Sequence, residues 1–331
     1  MKKILLDSNK NYYKGNLHCH STMSDGKMTV EELKERYKEE GYSVLAITDH
    51  EYLVDNSNLN DEEFITITSC ELGIKEFENI SSLKKRDMKV CHFNIYAKEP
   101  GNTDTPCYSS AYNHYVTKEN EHLVHHSCGE YHREYTKECI NEMIQTANNK
   151  GFIVAYNHPT WSLENATDYL NYKNLWAVEI YNHSCWITGL YEYDINVYDD
   201  LLRSGSRLGC IAGDDSHSLK ATCGGYVMIN ADKLEYDSIM NALENYNFYA
   251  STGPVIKELY VEDEKAYLTF EKGEYATMST KGRRVEKQEA TNIDGENKVC
   301  FNILPEDGYI RFDVVDKYGK RANTCAYFLD E

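Results

Sequence analysis

The sequence predicts an α/β region followed by an all-β tail, and three observations carry that expectation. From about residue 16 to 250, short apolar runs alternate with amphipathic segments. The amphipathic segments open on capping residues and close on glycine, as helices do. Near Ser251-Thr252-Gly253-Pro254 the pattern changes, and only short alternating segments follow.

The apolar runs lie at 42–48, 64–69, 89–97, 152–156, 176–181, 208–212 and 226–229. Each reads as a strand buried on both faces. Thr29-Val30-Glu31-Glu32 is a capping box, in which the Thr29 hydroxyl takes the Glu32 amide and Glu32 reaches back. A helix over 31–40 then stops at Gly41, and similar patterns at 135–149 and 191–204 end at Gly151 and Gly205. Alternating strands and helices imply parallel strands, in an open sheet or a barrel. Beyond the change, strands are expected at 256–262, 266–270, 298–304, 309–315 and 322–329. Turns at Glu306-Asp307-Gly308 and Asp316-Lys317-Tyr318-Gly319 separate them. With 331 residues, two domains are expected, at 1–252 and 253–331.

Lys and Arg total 35 against 54 Asp and Glu, a net charge of −19. That charge disfavours a long nucleic acid or an anionic membrane as partner. A small anionic substrate remains compatible if bound cations supply local positive charge. No apolar run approaches the roughly 18 residues of a membrane span. Met1-Lys2-Lys3-Ile4-Leu5-Leu6 resembles the start of a signal peptide, but Asp7 ends its apolar run after three residues. Eleven cysteines, odd in number and without a CxxC pair, read as buried reduced thiols of a cytoplasmic protein. The 28 tyrosines against five prolines have no explanation at this level.

The chemistry lies in the histidines and the acids beside them. In an extended Asn16-Leu17-His18-Cys19-His20, residues 18 and 20 share one face and Cys19 packs on the other. Ser24-Asp25-Gly26 is a turn that presents a carboxylate. His50 follows the strand at 42–48, Glu71 follows the one at 64–69, and His92 lies within the one at 89–97. His158 follows 152–156 in Asn157-His158-Pro159, and Asp215 and His217 follow 208–212. One histidine at a strand end is ordinarily a satisfied polar residue. Nine such nitrogen and oxygen donors, in order at successive strand ends, point to a transition-metal site. Nine exceed what one ion needs, so two or three divalent ions bridged by a carboxylate fit better; manganese, iron and zinc all suit these donors.

These motifs, His18-Cys19-His20, Ser24-Asp25-Gly26, Thr48-Asp49-His50, Glu71, His92, Asn157-His158-Pro159 and Asp215-Ser216-His217, resemble those of the PHP (polymerase and histidinol phosphatase) superfamily. The resemblance spans about 16–250. It implies a distorted (β/α)7 TIM-like barrel with a trinuclear metal centre, and here a small β-sandwich-like C-terminal domain. By motif, one ion would take His18, His20, Glu71 and Asp215. A second would take His92 and His158 with Glu71 bridging, and the third Asp25, His50 and His217. Asp25 stands where some members carry a histidine, and an aspartate there is similar to members acting on nucleotide phosphates or oligonucleotides. The stretch 249–254 and the β segments after it look like a subgroup of metal-dependent hydrolases related to carbamate and ester hydrolases.

The expected function is therefore a metal-dependent phosphoesterase acting on a small phosphorylated substrate through a metal-bridging hydroxide. Asp25 and His217 are candidate proton-transfer groups. An ester, carbamate or amide metallohydrolase is the first alternative, and a non-catalytic, metal-stabilised binding module the second. Rim segments supply the candidate substrate contacts. Residues 98–133 form an expected insertion or lid whose Arg133 would grip an anion. Asn182, His183 and Lys220 also start on that rim, and Glu179 reads either as orienting a metal-bound histidine or as pairing with a core polar group. The β tail reads as a packing or dimerisation module, which would make the protein a homo-oligomer.

Overall fold

Helix α1 (Val30–Glu39) starts as its capping box requires. The Thr29 side chain accepts from the Glu32 N–H, and Glu32 accepts from the Thr29 N–H. It ends ahead of Gly41, whose φ of +77° suits a residue without a Cβ. The computed structural model describes residues 2–77, 87–293 and 295–330.

The strands are β1 (Lys3–Leu6), β2 (Asn11–Asn16), β3 (Val44–Ile47), β4 (Ile65–Lys75), β5 (Val90–Ala97), β6 (Phe152–Tyr156), β7 (Ala177–Asn182), β8 (Gly209–Gly213), β9 (Tyr226–Ala231) and β10 (Phe248–Ser251). Five further helices are α2 (Lys137–Asn149), α3 (Ala166–Tyr169), α4 (His183–Ile187), α5 (Ile195–Arg203) and α6 (Tyr236–Glu244). Strands β2, β3 and β4 pair in parallel, as do β6, β7 and β8. Strand β5 joins these two sets by running antiparallel to both β4 and β6. The all-parallel arrangement is thus corrected. A strand buried on both faces carries the same apolar run in either direction, so its sense is not written in that run.

The closed barrel is not found either: the paired strands run as an open path from β2 to β8. The two ends meet only beyond the strands, through the His20 N–H to Ser216 O and the Asp215 N–H to His18 O. What stands is a mixed α/β arrangement rich in sheet. One core joins Ile140, Met143 and Ile144 of α2 and Leu201 and Leu202 of α5 to Phe93, Val154 and Val178. A second joins Ile239 and Leu243 of α6 to Val44, Ile67, Val227 and Ile229.

The C-terminal strands are β11 (Val255–Glu262), β12 (Lys265–Glu271), β13 (Tyr275–Thr280), β14 (Val285–Glu289), β15 (Thr291–Ile293), β16 (Glu296–Asn302), β17 (Tyr309–Val315), β18 (Arg321–Thr324) and β19 (Tyr327–Phe328). Ile256, Leu259, Leu268 and Phe270 from one sheet meet Met278, Ile310, Phe312 and Val314 from another, the expected all-β core. A cut at 252/253 does not separate the pairing. Strand β1 pairs with β11 and buries Leu6 in that core, while β18 pairs with β10 and carries the large sheet across the position. The run of Ile4, Leu5 and Leu6 is a strand whose partner lies some 250 residues on, which local pattern does not show.

Candidate metal centre

His18 and His20 leave the end of β2 on one face, both buried, and Cys19 packs on the other with Leu45 and Ile47. The period of two therefore places the imidazoles as expected. Three groups of donor atoms converge here, each within 4.8 Å: His18, His20, Glu71 and Asp215; Glu71, His92 and His158; and His20, Asp25, His50 and His217. The structure thus brings all nine sequence candidates together. It adds His20 to the third group, so that both His20 and Glu71 belong to two.

His18 Nε2 lies 3.4 Å from Glu71 Oε1 and 3.2 Å from Asp215 Oδ1, and His20 Nε2 lies 3.0 Å from the same Asp215 oxygen. His92 Nδ1 and His158 Nε2 stand 3.3 and 3.2 Å from Glu71 Oε1. His217 Nε2 and His50 Nε2 stand 3.3 and 3.6 Å from the two oxygens of Asp25. Donors about 2.0–2.2 Å from a shared ion sit roughly 3–3.5 Å apart, so these spacings suit divalent ions. Two further features agree. The Nε2 atoms of His18 and His20 face each other at 3.4 Å, and the buried Nδ1 of His20 has no hydrogen-bond partner. The residues present fit the ions implied by the motifs.

Electrostatics points the same way. Burial opposes charge on His18, but Asp215, Glu179 and Glu71 outweigh it and raise its pKa. Burial opposes ionisation of Glu71 too, yet His92 and His18 hold it well below the usual carboxylate range. Asp215 and Asp25 are likewise held low by their histidines against burial. His20 is lowered, first by burial and then by His50, which favours the neutral ring that a metal needs. Two buried ionised carboxylates, Glu71 and Asp215, with the ionised Asp25 at the open edge, call for compensating positive charge.

The surroundings fix these donors. Glu179 Oε1 is 3.0 Å from His18 Nδ1, the orienting role expected of it. Its other oxygen accepts from the His158 N–H and from Asn182. Asn157 donates to Glu71 Oε1 at 2.8 Å. Three residues the sequence reading left without a role also matter. Asp49 accepts from the Ser21 N–H, the Ser21 hydroxyl and the Ser24 hydroxyl, which holds the turn of Asp25. In that turn a Cβ on Gly26 would lie 2.2 Å from His20 O, so only glycine fits. Asp214 accepts from Tyr37, Asn16 and the N–H groups of Cys223, Gly224 and Gly225. Tyr115, from the 98–133 segment, stacks on His50 and donates to Asp25 Oδ2 at 3.3 Å. Asp49 and Asp214 sit beside motif residues, which is the signal that was available; Tyr115 had none.

The substrate contacts fare differently. Arg133 is 2% exposed, pairs with Glu51 at 2.7 Å and donates to Gly73 O and Cys107 O. Its guanidinium is committed inside the protein, which corrects the expectation that it grips a substrate anion. Asn182 is also buried; it donates to Asp215 Oδ2 at 3.1 Å and caps α4. It therefore holds a donor carboxylate and does not face a substrate. His183 is half-buried with Nδ1 2.9 Å from the Tyr181 hydroxyl, and Lys220 is exposed. Neither belongs to the three donor groups.

Comparison with known proteins follows the donors. The PHP domain family model matches residues 16–163. The DNA polymerase/3'-5' exonuclease PolX of Bacillus subtilis is 37% identical over 79 residues, 23% of this chain and 14% of that protein. The chain thus spans a small part of that relative's length. Two solved structures are similar at low identity. A two-domain protein from Bacteroides vulgatus, containing a predicted PHP-like metal-dependent phosphoesterase, gives 14% identity, 98% and 96% coverage and a TM-score of 0.48. The lesion-specific endonuclease from Pyrococcus furiosus gives 14% identity, 71% and 56% coverage and 0.42. Residues 16–163, which supply every candidate donor except Asp215 and His217, match the PHP domain family model.

Proposed function

We propose that the protein is a metal-dependent hydrolase of phosphoric esters, acting on a small phosphorylated substrate. The observation that carries this reading is the convergence of three donor groups on shared residues, Glu71 and His20. When bound, two or three divalent ions would supply Lewis-acid charge to phosphate oxygens and lower the pKa of a water.

The chain's own residues account for the rest. Glu71 and Asp215, held ionised, fix the spacing of the donor groups. Asn157 and Asn182 anchor those carboxylates, so the site is built before substrate arrives. Asp25 and His217 sit at the more open side, with side chains 34% and 36% exposed. With ions at the other two donor groups alone, a proton held at His217 Nε2, 3.3 Å from Asp25 Oδ1, is placed to reach a leaving oxygen there; an ion at the third group would take that nitrogen in place of the proton. The net charge of −19 favours a small substrate over a long nucleic acid.

The test pairs metal analysis with a hydrolysis panel of phosphomonoesters, phosphodiesters, carboxyl esters and a carbamate. Phosphate release that a chelator abolishes and manganese, iron or zinc restores is expected. Asp215→Asn should lose bound metal and turnover together. Turnover of carboxyl esters or carbamate alone would replace the phosphoester reading with the ester or carbamate one.

A further inference from the structure

Beside the donor groups lies a cavity of about 160 Å³ lined by His50, His92, Tyr112 and Tyr115, with Lys75 and His114 as its basic residues and Glu51, paired with Arg133, as its acid. We propose that this cavity receives a second anionic group of the substrate, a phosphate or a carboxylate, and that Lys75 binds it. The proposal rests on the hydrolase reading and deepens it by naming a doubly anionic substrate class.

Strand geometry puts Lys75 in place. Residues 71, 73 and 75 of β4 share a face, so the strand that offers Glu71 to the donors offers Lys75 four residues on, about 13 Å along. Between them Gly73 carries no side chain, and the His92 ring and Glu51 Oε1 close over it, 3.1 and 3.5 Å from where a Cβ would lie. The separation along the strand, about 13 Å less the reach of the Lys75 side chain, matches a spacer of sugar size between a reacting ester and a second anion.

Charge selects Lys75 over the other cation of the neighbourhood. Lys75 Nζ and the Arg133 guanidinium both lie near the Tyr112 ring, 5.0 and 4.7 Å from its centroid. Arg133 is neutralised by Glu51. Among the described residues no carboxylate pairs with Lys75, and its side chain is partly exposed at the cavity. Its backbone N–H donates to the Tyr112 hydroxyl at 3.4 Å, which ties the cation's base to the cavity wall. A cation without a paired carboxylate among the described residues, in a chain of net charge −19, marks the place for an anion.

The experiment uses the full chain loaded with metal and two matched pairs, fructose 1,6-bisphosphate against fructose 6-phosphate, and 6-phosphogluconate against glucose 6-phosphate. A higher kcat/KM for the doubly anionic member of at least one pair, expressed in KM, is expected. The pair that shows it tells phosphate from carboxylate. Lys75→Met should lower that ratio roughly tenfold or more, and Lys75→Arg should keep most of it. No preference in the unaltered protein, or a preference that Lys75→Met leaves intact, overturns the proposal. If no phosphate ester is hydrolysed, the phosphoester reading falls by itself. Equilibrium binding of the same four compounds then reads the same ratio, and a ratio unchanged by Lys75→Met overturns the Lys75 site as well.

Discussion

Five imidazoles present a nitrogen to Glu71 within 3.2–3.5 Å, which makes this one carboxylate the hinge of the donor set. It is buried and ionised, a state that neighbouring positive charge must sustain. Glu179 acts one step further out. In Glu179→Gln, one oxygen that accepts from the His158 N–H, Asn182 or His18 becomes a donor facing them. Metal affinity should then fall about 10–100-fold in a calorimetric titration, with the fold retained by circular dichroism. The tyrosine excess also gains a partial reason at this scale. The hydroxyls of Tyr135, Tyr156 and Tyr172 all donate to Glu164, whose pKa burial raises. Tyr172→Phe should cost about 1–3 kcal/mol in urea unfolding, because it strips a donor from a buried carboxyl.

Among the elements, helix starts were readable and strand partners were not. The box at Thr29 and the glycine stop at Gly41 are local chemistry, and both stand in the structure. Thr29→Ala should therefore cost about 1 kcal/mol by the same measurement. The donors were legible for a related reason: a His or Asp at the end of an apolar run contrasts with everything before it. Arg133 was not legible, because its partner Glu51 lies 82 residues away and nothing near either residue announces the pair. The loop after His158 depends on such a distant contact too. Glu192 accepts the N–H groups of Thr160 and Trp161, and burial followed by Asp194 pushes its pKa up to about 10. The folded protein thus keeps a proton that the unfolded chain releases near the usual glutamate value. This contribution to stability is full below about 4.5 and is lost as pH rises toward about 10. Urea midpoints between pH 6 and 9 should fall, and Glu192→Gln should flatten that slope.

At the scale of the molecule, one large sheet runs from β8 through β2, β9 and β10 and on into the C-terminal strands β18, β17, β13 and β14. The sequence marks a change of pattern near 251–254, because alternation replaces continuous apolar runs there. It did not show that β10 and β18 pair across that position, since register is set by partners distant in sequence. Coupling through a shared sheet makes a specific expectation. Leu6→Ala, in the core between the two C-terminal sheets, should cost about 2–5 kcal/mol in unfolding yet leave metal content unchanged.

The pairing of β1 with β11 also sets an order of events during synthesis. Lys3–Leu6 leaves the ribosome before Val255–Glu262, which is made some 250 residues later. At roughly 5–20 residues per second, Ile4, Leu5 and Leu6 wait on the order of 12–50 s for their neighbour. For that interval the nascent chain carries a sticky, unpaired segment, and the growing polypeptide must keep it from other chains until Val255–Glu262 has been made.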